Sequence, residues 1–277
     1  MDLKDKTILL TGATGGIGEA IARQLIACGS RLILVGRSDQ TLKYLTRELH
    51  LTKNNGFTLQ ADIATHAGRE TIRTALVALQ NPVDVLINCA GTSLFGFLED
   101  SPSSDIEKMI NTNVTATILL TQQVLPFLNK DCGRILVIGS SFGALGFPGF
   151  AAYCASKFAL RGFAEALRRE LADSKIQVAH LAPRATNTRL NSDAVVELND
   201  VLGNNVDEPE DVALAVENML LMKNIHDLNL GWPERLFLRI NAIFPRLIDK
   251  ALYGKLSTIR SFARKEREVR HTTINPV

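Results

Sequence analysis

A short apolar run, a glycine-rich turn and a helical stretch follow one another without a gap near the start of this chain. No other feature restricts the possible folds so strongly. Residues 6–11 (Lys-Thr-Ile-Leu-Leu-Thr) read as a buried strand bounded by polar residues. Residues 12–18 (Gly-Ala-Thr-Gly-Gly-Ile-Gly) come next, and residues 19–27 continue with apolar residues at helical spacing. Gly12 permits a tight turn, while Gly16 and Gly18 let the backbone approach a pyrophosphate and let the helix pack on the sheet. The N–H groups left unpaired at the helix N-terminus then face the anion. The glycine spacing differs from the Gly-x-Gly-x-x-Gly dinucleotide fingerprint, but strand, turn and helix together predict a nucleotide site.

Apolar runs keep alternating with helical stretches further along. Strands are expected at 7–10, 32–35, 58–60, 83–88, 133–139 and 177–181. This alternation predicts an α/β chain with a single Rossmann-type doubly wound parallel sheet and helices on both faces. A length of 277 residues with 46% hydrophobic content suits one domain that buries a substantial core. Residues 1–222 are read as the catalytic and cofactor-binding domain, and 223–277 as a C-terminal helical extension that is not an independent domain. Ligands in such sheets gather at the carboxyl ends of the strands, where strand order reverses. The glycine turn, Asp62, Asn88, Ser140 and Pro183 all fall on that edge, which points to one site.

Residues 153–157 (Tyr-Cys-Ala-Ser-Lys) carry the candidate chemistry, with Ser140 thirteen positions before Tyr153. Helical spacing over 151–172 places Tyr153 and Lys157 on one face, one turn apart. A free Tyr titrates at about 10, and a fixed cation beside it stabilises the phenolate and lowers that value. The Ser140 hydroxyl is suited to orienting a substrate oxygen near such a Tyr. Taken alone, Tyr-x-x-x-Lys is equally a surface pair, so its meaning rests on the other motifs.

Together these segments resemble the short-chain dehydrogenase/reductase family over residues 4–190, and its NADPH-preferring members in particular. Residues 11–18, with Thr14 and Ile17 among them, resemble the family's cofactor turn. Residues 88–91 (Asn-Cys-Ala-Gly) resemble its Asn-Asn-Ala-Gly element, with Cys89 in place of the second Asn. The resemblance implies a catalytic tetrad of Asn113, Ser140, Tyr153 and Lys157. Tyr153 would be the general acid/base, Ser140 would bind the same oxygen, Lys157 would also hold the nicotinamide ribose, and Asn113 would tie a water to Lys157. It further implies cofactor contacts from Gly12, Thr14, Gly16, Ile17, Gly18, Arg37, Ser38, Asp62, Ile63, Asn88, Ala90, Gly91, Tyr153, Lys157, Pro183 and Thr188. Asp62 alone is equally a helix cap. One departure is plain: Arg184 follows Pro183 where the family has Gly.

Cofactor preference follows from the end of the second strand, residues 32–38 (Leu-Ile-Leu-Val-Gly-Arg-Ser). An acidic residue there would bind the ribose hydroxyls, whereas an Arg faces a 2′-phosphate. Gly36 takes the acidic position and Arg37 follows, a pattern that in the family implies preference for NADP(H) over NAD(H), with Arg37 as a bidentate phosphate partner; a solvated surface Arg is the other reading. Four cysteines without Cys-x-x-Cys or His ligand spacing suggest neither zinc nor disulfides. No metal is expected, and a reduced cytoplasmic setting is. No apolar run reaches the length of a spanning helix, and the first strand begins too early to leave room for a cleavable signal.

Phe142, Leu145, Phe147 and Phe150 are candidates either for an apolar substrate pocket or for the core. Residues 186–206 fall where the family has its substrate loop. From residue 236 to 252, Leu, Phe and Ile recur at three- and four-residue spacing with Arg235, Arg239, Arg246 and Lys250 between them. Pro245 should split this helix. Packing as a lid or a subunit interface is one reading of it, and contact with the cytoplasmic side of a membrane is another. The basic residues are interleaved with an apolar face, so nucleic acid is not expected. The polar stretch 264–277 reads as disordered. The functional expectation is an NADPH-dependent reductase of a carbonyl, or the reverse, on an apolar, acyl- or lipid-like small molecule, acting as a homodimer or homotetramer. The competing class is a non-catalytic dinucleotide-binding regulatory or scaffold protein, which would not need all four tetrad residues.

Overall fold

All five residues of β1 (Thr7–Thr11) are buried, as a central parallel strand covered on both faces requires. A computed structural model describes residues 1–79 and 81–274, with side chains of the last helix as far as residue 269. From β1 the chain turns into α1 (Gly16–Ala27) and continues through β2 (Arg31–Gly36), α2 (Asp39–Glu48), β3 (Gly56–Gln60), α3 (His66–Val77) and β4 (Val85–Asn88). The helices α4 (Ser103–Ile110) and α5 (Ala116–Val124) flank a π-helical turn at Asn111–Thr115 and lead to β5 (Arg134–Ile138). There follow α6 (Ala151–Glu170), β6 (Gln177–Ala182), α7 (Asp193–Leu202), α8 (Pro209–Leu221) and β7 (Leu228–Asn229). Last come α9 (Glu234–Ile243), α10 (Pro245–Tyr253) and α11 (Leu256–Ile274).

The strands make one parallel sheet in the order β3-β2-β1-β4-β5-β6-β7. This is the expected Rossmann-type doubly wound sheet, and its order reverses between β1 and β4. Period-2 alternation sends successive residues of a strand to opposite faces. Ile8 and Leu10 therefore enter the core beneath α1 and α8, while Leu9 enters the core beneath α5 and α6. The six expected strands agree with β1 to β6 to within two residues at each end, and the sheet takes its seventh strand from beyond residue 222.

A third apolar cluster sits beyond the carboxyl edge. It joins Phe95 and Phe150 to Val195 and Leu198 of α7 and to Ile259 and Ala263 of α11. The expectation of a disordered tail over 264–277 is overturned for its described part, which continues α11 and carries the ion pairs of Lys265 and Arg267. Ile259 and Ala263 are buried, and Arg260, Lys265 and Arg267 pair with Glu99, Glu197 and Asp100, so α11 is helical and seated on the body. Residues 275–277 lie outside the described residues. Pro245 splits the expected helix as its fixed φ and missing N–H require, standing in the first turn of α10.

Candidate active site

The turn after β1 is shaped by close backbone contacts. Gly12 has φ +66°, and a Cβ there would stand 2.7 Å from Ala90 Cα, while one at Gly18 would stand 2.1 Å from the Gly12 carbonyl oxygen. The N-terminus of α1 has no side-chain cap, so its first amides are open to an anion. Thr11 ties this turn to the end of β4. Its Oγ1 accepts from the amides of Cys89 and Ala90 at 3.1 and 3.2 Å.

A cavity of about 550 Å³ runs from this turn along the carboxyl edge of the sheet. Of the expected cofactor residues, Gly12, Thr14, Gly16, Ile17, Gly18, Arg37, Asp62, Ile63, Ala90, Gly91, Tyr153, Lys157, Pro183 and Thr188 line it. Ser38 and Asn88 do not. Ser38 caps α2, its side chain accepting from the Thr41 amide. Asn88 points away from the cavity into the sheet–helix layer, where its Nδ2 donates to Thr121 Oγ1 at 3.0 Å. Arg37 is exposed at the cavity wall and makes no ion pair among the described residues. Gly36 beside it has room for little else, since a Cβ would meet Thr14 Cγ2 at 3.0 Å. An uncapped helix start, a cradle that side chains would fill and an unpaired Arg fit a phosphorylated dinucleotide.

At the far end of that cleft, α6 presents Tyr153 and Lys157 one turn apart, with the Lys157 Nζ 5.6 Å from the Tyr153 ring centroid. Ser140 follows β5 beside Tyr153, and its Oγ accepts from Phe142 N at 3.1 Å. Its place is fixed by main-chain bonds from Gly139 N to Leu181 O at 2.7 Å and from Ser141 N to Pro183 O at 2.8 Å. Burial pushes the Tyr153 phenol up to about 12, against a lowering by the Ser140 hydroxyl. Burial also pushes the Lys157 ammonium down to about 8. The expectation of a phenol below 10 is thereby reversed: burial is the largest cause and sets it above its ordinary value.

Asn113 is fully buried and does not line the cavity. Its Oδ1 accepts from Thr92 N at 2.8 Å, and its Nδ2 donates to Thr92 O and to Ser156 Oγ at 2.9 and 3.0 Å. The side chain is thus committed to protein partners. The π-helical turn Asn111–Thr115 around it departs from the ordinary carbonyl pairing of an α-helix. Gly91 is the meeting point, because a Cβ there would contact both Asn113 Oδ1 at 3.3 Å and Lys157 Nζ at 3.7 Å. Sequence reasoning assigned no role to Thr11, Thr92 or Ser156, although Thr11 and Ser156 lie inside the motifs 11–18 and 153–157 and Thr92 directly follows 88–91.

Arg184 has a definite place. It donates to Asp207 at 2.6 Å and to Glu234 at 3.1 Å, so it ties the end of β6 to the start of α8 and to α9. Phe142, Leu145, Phe147 and Phe150 all line the cavity, and the rings of Phe142, Phe147, Phe150 and Tyr153 pack on one another at 5.2–6.3 Å. Both readings of these residues hold, since the pocket wall is itself a small core. Opposite them, Phe237, Leu238, Ile248 and Leu252 of α9 and α10 complete the apolar wall.

A glycine-built nucleotide cleft that ends at a buried Tyr and Lys and a half-buried Ser on the sheet's carboxyl edge defines an α/β oxidoreductase of the nicotinamide-dinucleotide type. The chain belongs to the short chain dehydrogenase family, whose model matches residues 6–198. It is 30% identical over 281 residues to dehydrogenase/reductase SDR family member 7B of Xenopus tropicalis, covering 97% of this chain and 89% of that one. It is 32% identical over 194 residues to 3-dehydrosphinganine reductase of Danio rerio, covering 68% of this chain and 58% of that one. Among solved structures, a short chain dehydrogenase from Burkholderia cenocepacia in complex with NADP superposes with a TM-score of 0.74 at 27% identity, over 85% of this chain and all of that one. No helix among the described residues is long and apolar enough to cross a membrane.

Proposed function

We propose that the protein is an NADPH-preferring oxidoreductase that reduces a carbonyl to an alcohol, or runs the reverse, on an apolar small molecule. The observation that carries this reading is the position of Tyr153. It stands between the glycine cradle and a cage of aromatic and aliphatic side chains, so a substrate oxygen reaching it comes from an apolar body. NADPH, when bound, supplies a hydride. Tyr153 Oη gives its proton to the substrate oxygen as charge develops there, and Ser140 Oγ donates a hydrogen bond to that same oxygen. A phenol held protonated through the neutral range is a proton donor, which suits reduction. Lys157 is the cation nearest to Tyr153, and Asn113 holds Thr92 and Ser156 so that the Lys157 pocket keeps its shape.

Arg37, exposed and without a carboxylate partner, supports the preference for a 2′-phosphate, and the solved relative bound to NADP agrees with it. The relative named as a 3-dehydrosphinganine reductase supports the reading of an apolar, lipid-like substrate. We read the chain as two parts, residues 1–222 and a C-terminal extension 223–277. We also read it as a homodimer or homotetramer on the cytoplasmic side, with a peripheral membrane contact through the extension. The test is oxidation of NADPH, with NADH alongside, over carbonyl compounds of increasing chain length. Turnover that rises with chain length and favours NADPH is expected. Tight NADPH binding without turnover of any of them would favour the non-catalytic class.

A further inference from the structure

α10 buries none of its residues, although it is strongly two-sided. Ile248 and Leu252 turn toward the cavity wall, while Leu247 and Tyr253 stand 60% and 78% exposed. At the joint with α9, Ile243 and Phe244 are 69% and 59% exposed. Trp232, just before α9, and Phe237, within it, are exposed as well. Exposed apolar residues scattered singly need no explanation, but a run of this size on consecutive helices marks an interaction surface.

Its charges point to the partner. Arg235, Arg239, Arg246 and Lys250 are exposed, and none of them pairs with a carboxylate among the described residues. The carboxylates on these two helices are Glu234, which is held by Arg184, and Asp249. α11 behaves differently, since three of its cations are matched by acidic residues of the body. Unmatched cations beside large exposed apolar side chains fit an anionic lipid surface, which accepts the side chains into its interface and the cations at its phosphates.

We propose that the outer face of α9 and α10, with Trp232 at its edge, docks on an anionic membrane, so that the apolar wall of the cavity is formed by the same helices that touch lipid. A substrate that partitions into the bilayer would then meet the site without crossing water. This rests on the reading of the extension as a membrane contact, but not on the chemistry at Tyr153.

The experiment is flotation of the full chain with vesicles of phosphatidylcholine alone and of phosphatidylcholine with phosphatidylglycerol. Binding to the anionic vesicles that weakens with added salt is expected. Each cation near such a surface contributes about 1 kcal/mol, so the double variant Arg246→Gln/Lys250→Gln should bind roughly 30-fold more weakly. Ile243→Asp/Leu247→Asp should lose most of the remaining affinity for either vesicle. Unchanged NADPH fluorescence titrations show that both variants keep the fold. Failure of the unaltered chain to float with anionic vesicles overturns the proposal, as does flotation that neither variant weakens. A dimer in solution that the Ile243→Asp/Leu247→Asp variant dissociates also overturns it, because a second copy would then cover this face. Vesicle partition needs no turnover. Flotation of a chain that reduces no carbonyl therefore supports the docking and overturns only the reductase reading.

Discussion

At the cofactor end of the cleft the walls are main chain, and at the substrate end they are side chains. A Cβ on Gly18 would come within 2.1 Å of a carbonyl oxygen, and one on Gly12 within 2.7 Å of a backbone carbon, so those positions tolerate no substitution without moving the turn. The substrate end is assembled from Phe142, Phe147, Leu198, Leu252 and others drawn from separate stretches, where one apolar side chain replaces another at modest cost. The first end therefore fixes the class of reaction, and the second is free to vary with the substrate. Ser140 and Tyr153 stand at the junction, placed by backbone bonds from below and by aromatic packing from above.

The largest test of this contrast falls at the junction. Tyr153→Phe keeps the packing and removes the proton, so turnover should fall by about 10²–10⁴-fold while NADPH titrations stay nearly unchanged. Parallel losses in both would show that the two ends are not separable.

His180 probes how the junction is supported. It is buried in β6, and its Nε2 would stand 1.9 Å from a Cβ at Gly139. Burial lowers its pKa to about 4 from 6.5. The folded protein thus keeps the ring neutral between these values while the unfolded chain protonates it. Stability from this group is complete above pH 6.5 and is lost as pH falls toward 4, by about 3 kcal/mol in all. Urea unfolding across that range should show the loss. In His180→Leu that part of the dependence should vanish; its persistence would assign it elsewhere.

A smaller effect is expected at the outer rim of the cofactor end. Arg37→Ala removes a charged phosphate partner and should weaken NADPH by about 10–100-fold, with NADH nearly unaffected. Equal losses would remove the phosphate assignment.

The smallest effect belongs to the clasp between the ends. Arg184→Ala frees Asp207 and Glu234 and should raise KM by a few-fold, on the order of 1 kcal/mol, with kcat and NADPH affinity held. A fall in NADPH affinity instead would place Arg184 with the cofactor turn.

Local chemistry was readable because each piece had a short-range cause. The strand, the glycines and the i,i+4 pair of Tyr153 and Lys157 depend on neighbours within one or two turns, and all appear where the sequence places them. Asn88 and Asn113 illustrate the opposite case. Both sit in recognisable motifs, yet their side chains serve Thr121 in one case and Thr92 and Ser156 in the other, partners between 21 and 43 residues away. The acidity of Tyr153 was misjudged for a related reason. Helical spacing places the cation beside the phenol, but the burial that raises the phenol's pKa comes from residues around the whole site.

The sequence by itself determined the parallel sheet, the nucleotide turn and the order of the reactive residues, since periodicity and glycine act through the backbone nearby. Only the tertiary structure decided that Arg184 clasps α9 to the end of β6. It also decided that α11 is seated while α10 turns Ile248 and Leu252 to the cavity and leaves Leu247 and Tyr253 outward. These outcomes depend on which distant carboxylate or apolar surface lies opposite each helix, and an amphipathic stretch reads the same whether its partner is the body of the protein or something outside it.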